Sequence, residues 1–386
     1  MKKPFKIAGI AGLALLLVFT SLLAYSWLRM RLVKDPKDLE ARVAARCTQY
    51  LQQKKSVGLA VSIIKEGRMY IQGFGYRDRA SAVPVDEYTI FETGSITTLF
   101  TAELAQILAD RNIIHWEDLL TESLDPGCAP ALNDGTTLLS LATHTSGYPL
   151  LPQCLQDSMQ QAENPYAALS PEWYCDYIRH AGDKRQPDKH NYDYSHMGFS
   201  LLASALEWKS SKSYEQLLQE LICDPLGMTH TGTLPAAGNS NMATGYNDQG
   251  YRTSHWDFPV MYGAGAIHSS IGDLARFAAA NLSDHLLTPS FHSAQQQQYP
   301  IAPGQAIAKG WRVDQVTGPE HGNTQVIWQH GHTGGFRSYI GLVPEARTAV
   351  VVLANQCNEA LDSLALQLLL AATEVSFGQE HQFIPR

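Results

Sequence analysis

The sequence predicts an α/β (α+β) fold. An antiparallel sheet, flanked by helices, is built from both chain ends, and a helical region is inserted between them at about 92–310. Three observations predict this. Strand-like runs of apolar and aromatic residues occur near the start, at 58–64 and 69–76, and again near the end, at 325–329, 338–343 and 348–354. Short turns, Glu66-Gly67 and Pro344-Glu345-Ala346-Arg347, join the members of each group. The long stretch between the groups carries helix-spaced apolar residues instead. With 386 residues, 45% hydrophobic and 17% charged, the chain can bury a large core. One compound domain over 35–386, or two interleaved ones, fits that length.

The elements follow in order. Lys2, Lys3 and Lys6 precede an apolar run from Ile7 to Leu28, which Arg29, Arg31 and Lys34 close. That run is long enough to cross a bilayer. Leu22-Leu23-Ala24 is a poor cleavage site, so residues 1–34 read as an uncleaved membrane anchor in preference to a cleaved signal segment. Basic residues flank both ends, so their charge does not set the orientation. Asp35 to Lys55 is a linker with an amphipathic helix, and the first strand pair follows. Phe100, Leu104, Ile107 and Leu108 repeat at helical spacing after Gly94-Ser95. A last helix carries Leu361, Leu364, Leu368 and Ala371 on one face.

Composition excludes some functions. The net charge is −8 and no Lys/Arg-rich patch stands out, which argues against nucleic-acid partners. Cys47, Cys128, Cys154, Cys175, Cys223 and Cys357 show no metal-ligand spacing, and no metal or organic cofactor is implied. An even cysteine count beyond a membrane segment permits disulfides in an oxidising compartment. Free buried thiols are an equal option, and the pairing is open.

The chemistry concentrates in three short stretches. In Phe91-Glu92-Thr93-Gly94-Ser95, an extended segment gives way to a helix, so Ser95 lies at the first turn, near free N–H groups and the positive end of the dipole. A lone serine there is ordinarily an N-cap. In Tyr192-Asp193-Tyr194-Ser195-His196, a polar and aromatic loop leads into an apolar helix, where Tyr194 is a cleft residue or a half-buried core tyrosine. In Gly331-His332-Thr333-Gly334-Gly335, glycines between two strands let a substrate approach the strand backbone. His332 is a cleft histidine or a hydrogen-bonded structural one, and His144 reads as structural.

In order and spacing, these stretches resemble the serine β-lactamase and penicillin-binding-protein family, in its class C-related branch. Leu138 to Pro149 with its His144-Thr145-Ser146-Gly147 core, Pro225-Leu226-Gly227-Met228, and Gly263 to Phe277 are similar to further family segments, so the resemblance covers about 40–375. It implies a β-lactamase/transpeptidase-like fold. It also implies Ser95, Tyr194 and His332 as catalytic positions. Gly335, with Thr333, Gly334 and His196, would bind the oxyanion or substrate. The backbone N–H groups of Ser95 and Gly335 would form the oxyanion hole.

Three departures shape the expected function. The family signature is Ser-x-x-Lys, and here the lysine position is Thr98, which cannot hold a charge or take a proton near pH 7. His196 replaces the asparagine of the family's Tyr-x-Asn, and Leu150 and Leu151 stand where class C enzymes carry a glutamine. Lost amide clamps demote β-lactams and D-Ala-D-Ala peptides as substrates. The expectation is a membrane-anchored serine hydrolase, esterase- or peptidase-like, forming an acyl-enzyme on Ser95 with weak or retuned activity. A relay of Ser95, Tyr194 and His332 would move the proton. Its partners would be a small-molecule or peptide substrate of the cell envelope, and the membrane through residues 1–34. Its place would be the inner membrane, single-pass, with the domain on the periplasmic or extracellular side. The alternatives are an inactive relative that binds a cell-wall peptide or protein, and an assembly protein for which the anchor matters most.

Overall fold

The computed structural model of the chain describes residues 38–54, 56–129, 135–152, 155, 164–180, 191–233, 240–283, 285–318 and 322–378. The apolar run at 7–28 lies outside them, and among the described residues no helix is long and apolar enough to cross a membrane. The strands are β1 (Gly58–Lys65), β2 (Arg68–Asp78), β3 (Val83–Pro84), β4 (Ile90–Glu92), β5 (His268–Ser270), β6 (Tyr299–Ala302), β7 (Gln305–Ile307), β8 (Arg312–Gly318), β9 (Gly322–His332), β10 (Arg337–Val343) and β11 (Thr348–Ala354). The main helices are α1 (Leu39–Lys54), α2 (Thr97–Asp110), α3 (Leu138–Ala142), α4 (Pro171–Arg179), α5 (His196–Ser210), α6 (Tyr214–Leu218), α7 (Ile271–Ala280), α8 (Thr288–Gln295) and α9 (Ala360–Glu374).

Among the described residues, nine strands form one antiparallel sheet in the order β3-β2-β1-β11-β10-β9-β8-β7-β6, while β4 and β5 pair separately. The two chain ends meet at its centre, where Leu59 lies opposite Ala354 and Lys65 opposite Thr348. Successive side chains of a strand face opposite sides. Leu59, Val61 and Ile63 therefore join Val350 and Val352 in a core beneath α1 and α9. Ala60 and Ile64 join Val351 and Leu353 in the larger core around α2. Both faces are dry, which is why β1 and β11 read as nearly continuous apolar runs, with Ser62 the one polar residue inside β1, rather than alternating ones.

Every residue of α2 from Thr97 to Leu108 is buried. A helix covered all round belongs to a core, and Phe100 stacks on Phe277 of α7 with ring centroids 4.3 Å apart. The helical insertion, expected to run to about 310, already gives way to β6 at Tyr299. The signal there is weak for physical reasons. β6 is four residues long, contains Pro300 and alternates between half-buried and exposed positions, as an edge strand does. The two cysteine options both occur: Cys128 and Cys175 form a disulfide, while Cys47 and Cys223 are buried thiols and Cys357 is a partly exposed one.

Candidate active site

Ser95 sits in a short 3-10 turn, Gly94–Ile96, between β4 and α2. Its neighbours are pinned from three directions. Thr93 Oγ1 donates to Ile267 O at 2.8 Å, Ser338 Oγ donates to Thr93 O at 2.7 Å, and Ile267 N donates to Thr97 Oγ1 at 3.1 Å. Two glycines permit the close approach of β9. Gly94 has φ +52°, and a Cβ there would lie 2.6 Å from His332 N. A Cβ on Gly331 would lie 2.1 Å from Thr93 O and 2.6 Å from Ser95 N. The strand backbone thus packs directly against the backbone of the serine turn.

The segment 193–196 is laid against the 144–150 loop by main-chain hydrogen bonds. Asp193 N donates to His144 O at 2.8 Å, Ser195 N to His144 Nδ1 at 3.0 Å, and His196 N to Leu150 O at 3.1 Å. Ser195 Oγ donates to Pro149 O at 2.9 Å and accepts from Gly198 N at 2.8 Å, capping α5. His144 is wholly buried with φ +55°, and its ring packs 4.2 Å from that of Tyr194. Burial first, then the His196 and Arg312 charges, lower its pKa to about 3. It is a neutral acceptor that templates the loop, in keeping with the structural role read from the sequence.

This template delivers His196 to the serine. Ser95 Oγ and His196 Nε2 are 3.1 Å apart. With the ring proton on Nδ1, Nε2 accepts from Oγ–H. Burial, and then the His332 charge, lower the His196 pKa to about 4, so the ring is neutral at physiological pH. Its Nδ1 is buried and has no hydrogen-bond partner among the described residues. Among the described residues no carboxylate orients this imidazole from behind.

Tyr194 Oη is also buried and lies beside the Ser95 and Thr98 hydroxyls, which lower its pKa, without forming a hydrogen bond of sound geometry. Burial outweighs them and pushes the phenol up to about 12. Thr98 is fully buried, donates to Ser95 O at 2.8 Å and accepts from Gln329 Nε2 at 3.2 Å. Gln329 is thus part of the site's floor. Only its inward register on β9, two residues before Gly331, signals this in the sequence.

The third stretch lies against the serine turn. His332 ends β9 with an exposed side chain, and it makes no hydrogen bond to Ser95. Partial desolvation, then the Arg337 and His330 charges, lower its pKa, and its exposure lets solvent screen those charges. The imidazole brought to Ser95 is therefore that of His196, not that of His332. Thr333 N donates to Phe336 O at 3.1 Å, closing a turn through Gly334 and Gly335, and Gly335 O accepts from Tyr246 N at 3.1 Å. Thr333 Oγ1 is buried without a partner among the described residues. Among the described residues no group of three or more His, Cys, Asp or Glu side chains could hold a metal ion.

The β-lactamase family profile matches residues 43–373. A β-lactamase of Escherichia coli (strain K12) is 28% identical over 355 residues, covering 83% of this chain and 90% of its own length. The D-alanyl-D-alanine-carboxypeptidase/endopeptidase AmpH of the same strain is 26% identical over 318 residues, covering 78% and 80%. Among solved structures, a tyrosine mutant of a class C β-lactamase superposes with a TM-score of 0.74 at 20% identity, over 86% of this chain and 98% of that one. That likeness concerns the fold.

Proposed function

The chain belongs to the β-lactamase family and is a serine hydrolase of amide or ester bonds, and from that premise we propose that Ser95 is its nucleophile and His196 its general base. The observation that carries this reading is the 3.1 Å contact between Ser95 Oγ and His196 Nε2. Ser95 Oγ attacks the substrate carbonyl while its proton passes to Nε2. The tetrahedral oxyanion is held by the N–H groups of Ser95 and Gly335. His196 then returns the proton to the leaving group as the acyl-enzyme forms. Water, deprotonated by His196, releases the acid and regenerates Ser95.

Activity is weak or retuned for reasons that the site supplies. A base with a pKa of about 4 is free at neutral pH but drives proton transfer poorly. No group among the described residues steadies the imidazolium at Nδ1. Thr98 supplies no positive charge, and Tyr194 remains a neutral phenol. Small esters and peptides of the cell envelope are the favoured substrates. The names of the relatives make a β-lactam and a D-Ala-D-Ala peptide the comparison substrates. The Cys128–Cys175 disulfide supports a domain outside the reducing cytoplasm, held at the inner membrane by residues 1–34. Fractionation of the whole chain beside a form lacking 1–34 tests that placement.

Intact mass after a fluorophosphonate probe tests the chemistry. The expected result is one adduct on the native chain, none on Ser95→Ala, and much slower labelling of His196→Ala than of His332→Ala. A folded native chain that takes no probe and turns over no ester overturns the hydrolase mechanism. The cleft would then be a binding site.

A further inference from the structure

Three residues before Ser95, Glu92 is 97% buried at the end of β4, with 3% of its surface exposed. Its Oε1 accepts from His255 Nδ1 at 2.7 Å and from Trp256 N at 3.1 Å, and its Oε2 is buried without a partner among the described residues. Across the β4–β5 pair it faces His268, itself buried. A carboxylate taken out of water needs such partners. The pair does more than satisfy Glu92. The His255 ring stacks on Phe336 with centroids 5.7 Å apart at 29°, and Phe336 meets Phe91 edge-on at 6.3 Å. Phe91 and Glu92 lead into Ser95, whereas the Phe336 carbonyl closes the turn that carries Gly335. One circuit of Phe91, Glu92, His255 and Phe336 therefore ties the nucleophile strand to the other half of the oxyanion hole.

We infer that His255, held by Glu92, is a positioning residue that sets the spacing between the Ser95 and Gly335 N–H groups. The inference rests on the acyl-enzyme reading. Oxyanion donors act only when placed within tenths of an ångström of the developing charge. Loosening the circuit should weaken stabilisation of the tetrahedral state while leaving ground-state binding nearly alone.

The test compares the full chain with His255→Ala and with Glu92→Gln, which keeps the volume and the acceptor for Trp256 N. Two probes are used: turnover of a p-nitrophenyl ester, and binding of phenylboronic acid, which forms a tetrahedral adduct on an active serine. The expected result is a fall in kcat of roughly 10-fold or more with KM within about twofold, a part of the 10²–10³ that follows loss of a whole donor. Boronate affinity should fall in parallel. Where His255→Ala fails to fold, Glu92→Gln decides. Folded variants with unchanged kcat, or a fall in kcat without a fall in boronate affinity, overturn the positioning role while the hydrolase reading stands. A native chain that takes neither probe overturns both.

Discussion

At the scale of single residues, three side chains compete for the role of base, and their electrostatics separate them. A general base must be unprotonated to act. His196, held at about 4, is half available near pH 4 and fully available above about pH 5. The acidic limb of kcat/KM should therefore centre near pH 4, with circular dichroism at each pH confirming that the chain stays folded. A limb well above pH 4 would instead point to a less strongly shifted histidine such as His332. Tyr194, raised to about 12, keeps its proton throughout. Tyr194→Phe should cost less than roughly 10-fold in kcat/KM, whereas His196→Ala should cost roughly 10²–10⁴-fold; the reverse order in ester turnover would return the base to Tyr194. The sequence carried Ser95 through its flanks, since Gly94, the preceding strand and the following helix are local. It did not carry the Ser95–His196 contact. Those residues are 101 positions apart and meet only because the 144–150 loop aims α5 at the serine turn.

At the scale of elements, the last helix shows what local patterning can and cannot tell. Leu361, Leu364, Leu368 and Ala371 are all buried, as their spacing predicts. How α9 ends could not be read that way. Its final carbonyls are collected by Lys65, the last residue of β1, whose Nζ donates to the oxygens of Ala372 at 2.7 Å, Thr373 at 3.3 Å and Val375 at 3.1 Å. A cation at a helix C-terminus meets both the dipole and carbonyls left without N–H partners. In sequence Lys65 is merely the polar end of a strand before a turn, because its partners lie about 300 residues away. Lys65→Met keeps the stem and removes the donor. Hydrogen bonds from a charged group are worth roughly 1.5–3 kcal/mol, so urea denaturation should show a loss of that size. A loss below about 0.5 kcal/mol would mean that water satisfies those carbonyls unaided.

At the scale of the whole molecule, the sheet drawn from both ends was legible because β1, β10 and β11 are dry on both faces and therefore mostly apolar along their length. The outer strands β6 to β8 were not, because β6 and β7 are short and β6 and β8 are only partly buried. The same dryness sets how stability responds to pH, and buried groups pull in opposite directions. His144 and His196, lowered to about 3 and about 4, are protonated near pH 5 only when the chain unfolds. Each therefore removes about 1.4 kcal/mol per unit as pH falls below about 6.5. Glu103 acts the other way. It is fully buried on α2, with Oε1 accepting from Trp311 Nε1 at 3.1 Å and Oε2 without a partner among the described residues. Burial raises its pKa well above the ordinary value of 4.5, despite the Trp311 bond and the Lys309 charge. A carboxyl that keeps its proton when folded and loses it when unfolded subtracts stability as pH rises above about 4.5. Glu103→Gln retains the acceptor for Trp311 and abolishes that loss. The variant should therefore be more stable than the native chain at pH 8, and the difference should shrink towards pH 5, leaving the histidines to give a steeper acid decline. Urea denaturation at the two pH values reads this directly. A difference that does not change with pH would mean that Glu103 is ionised in the fold and paired with Lys309, and that the core around α2 holds a charge pair rather than a neutral acid.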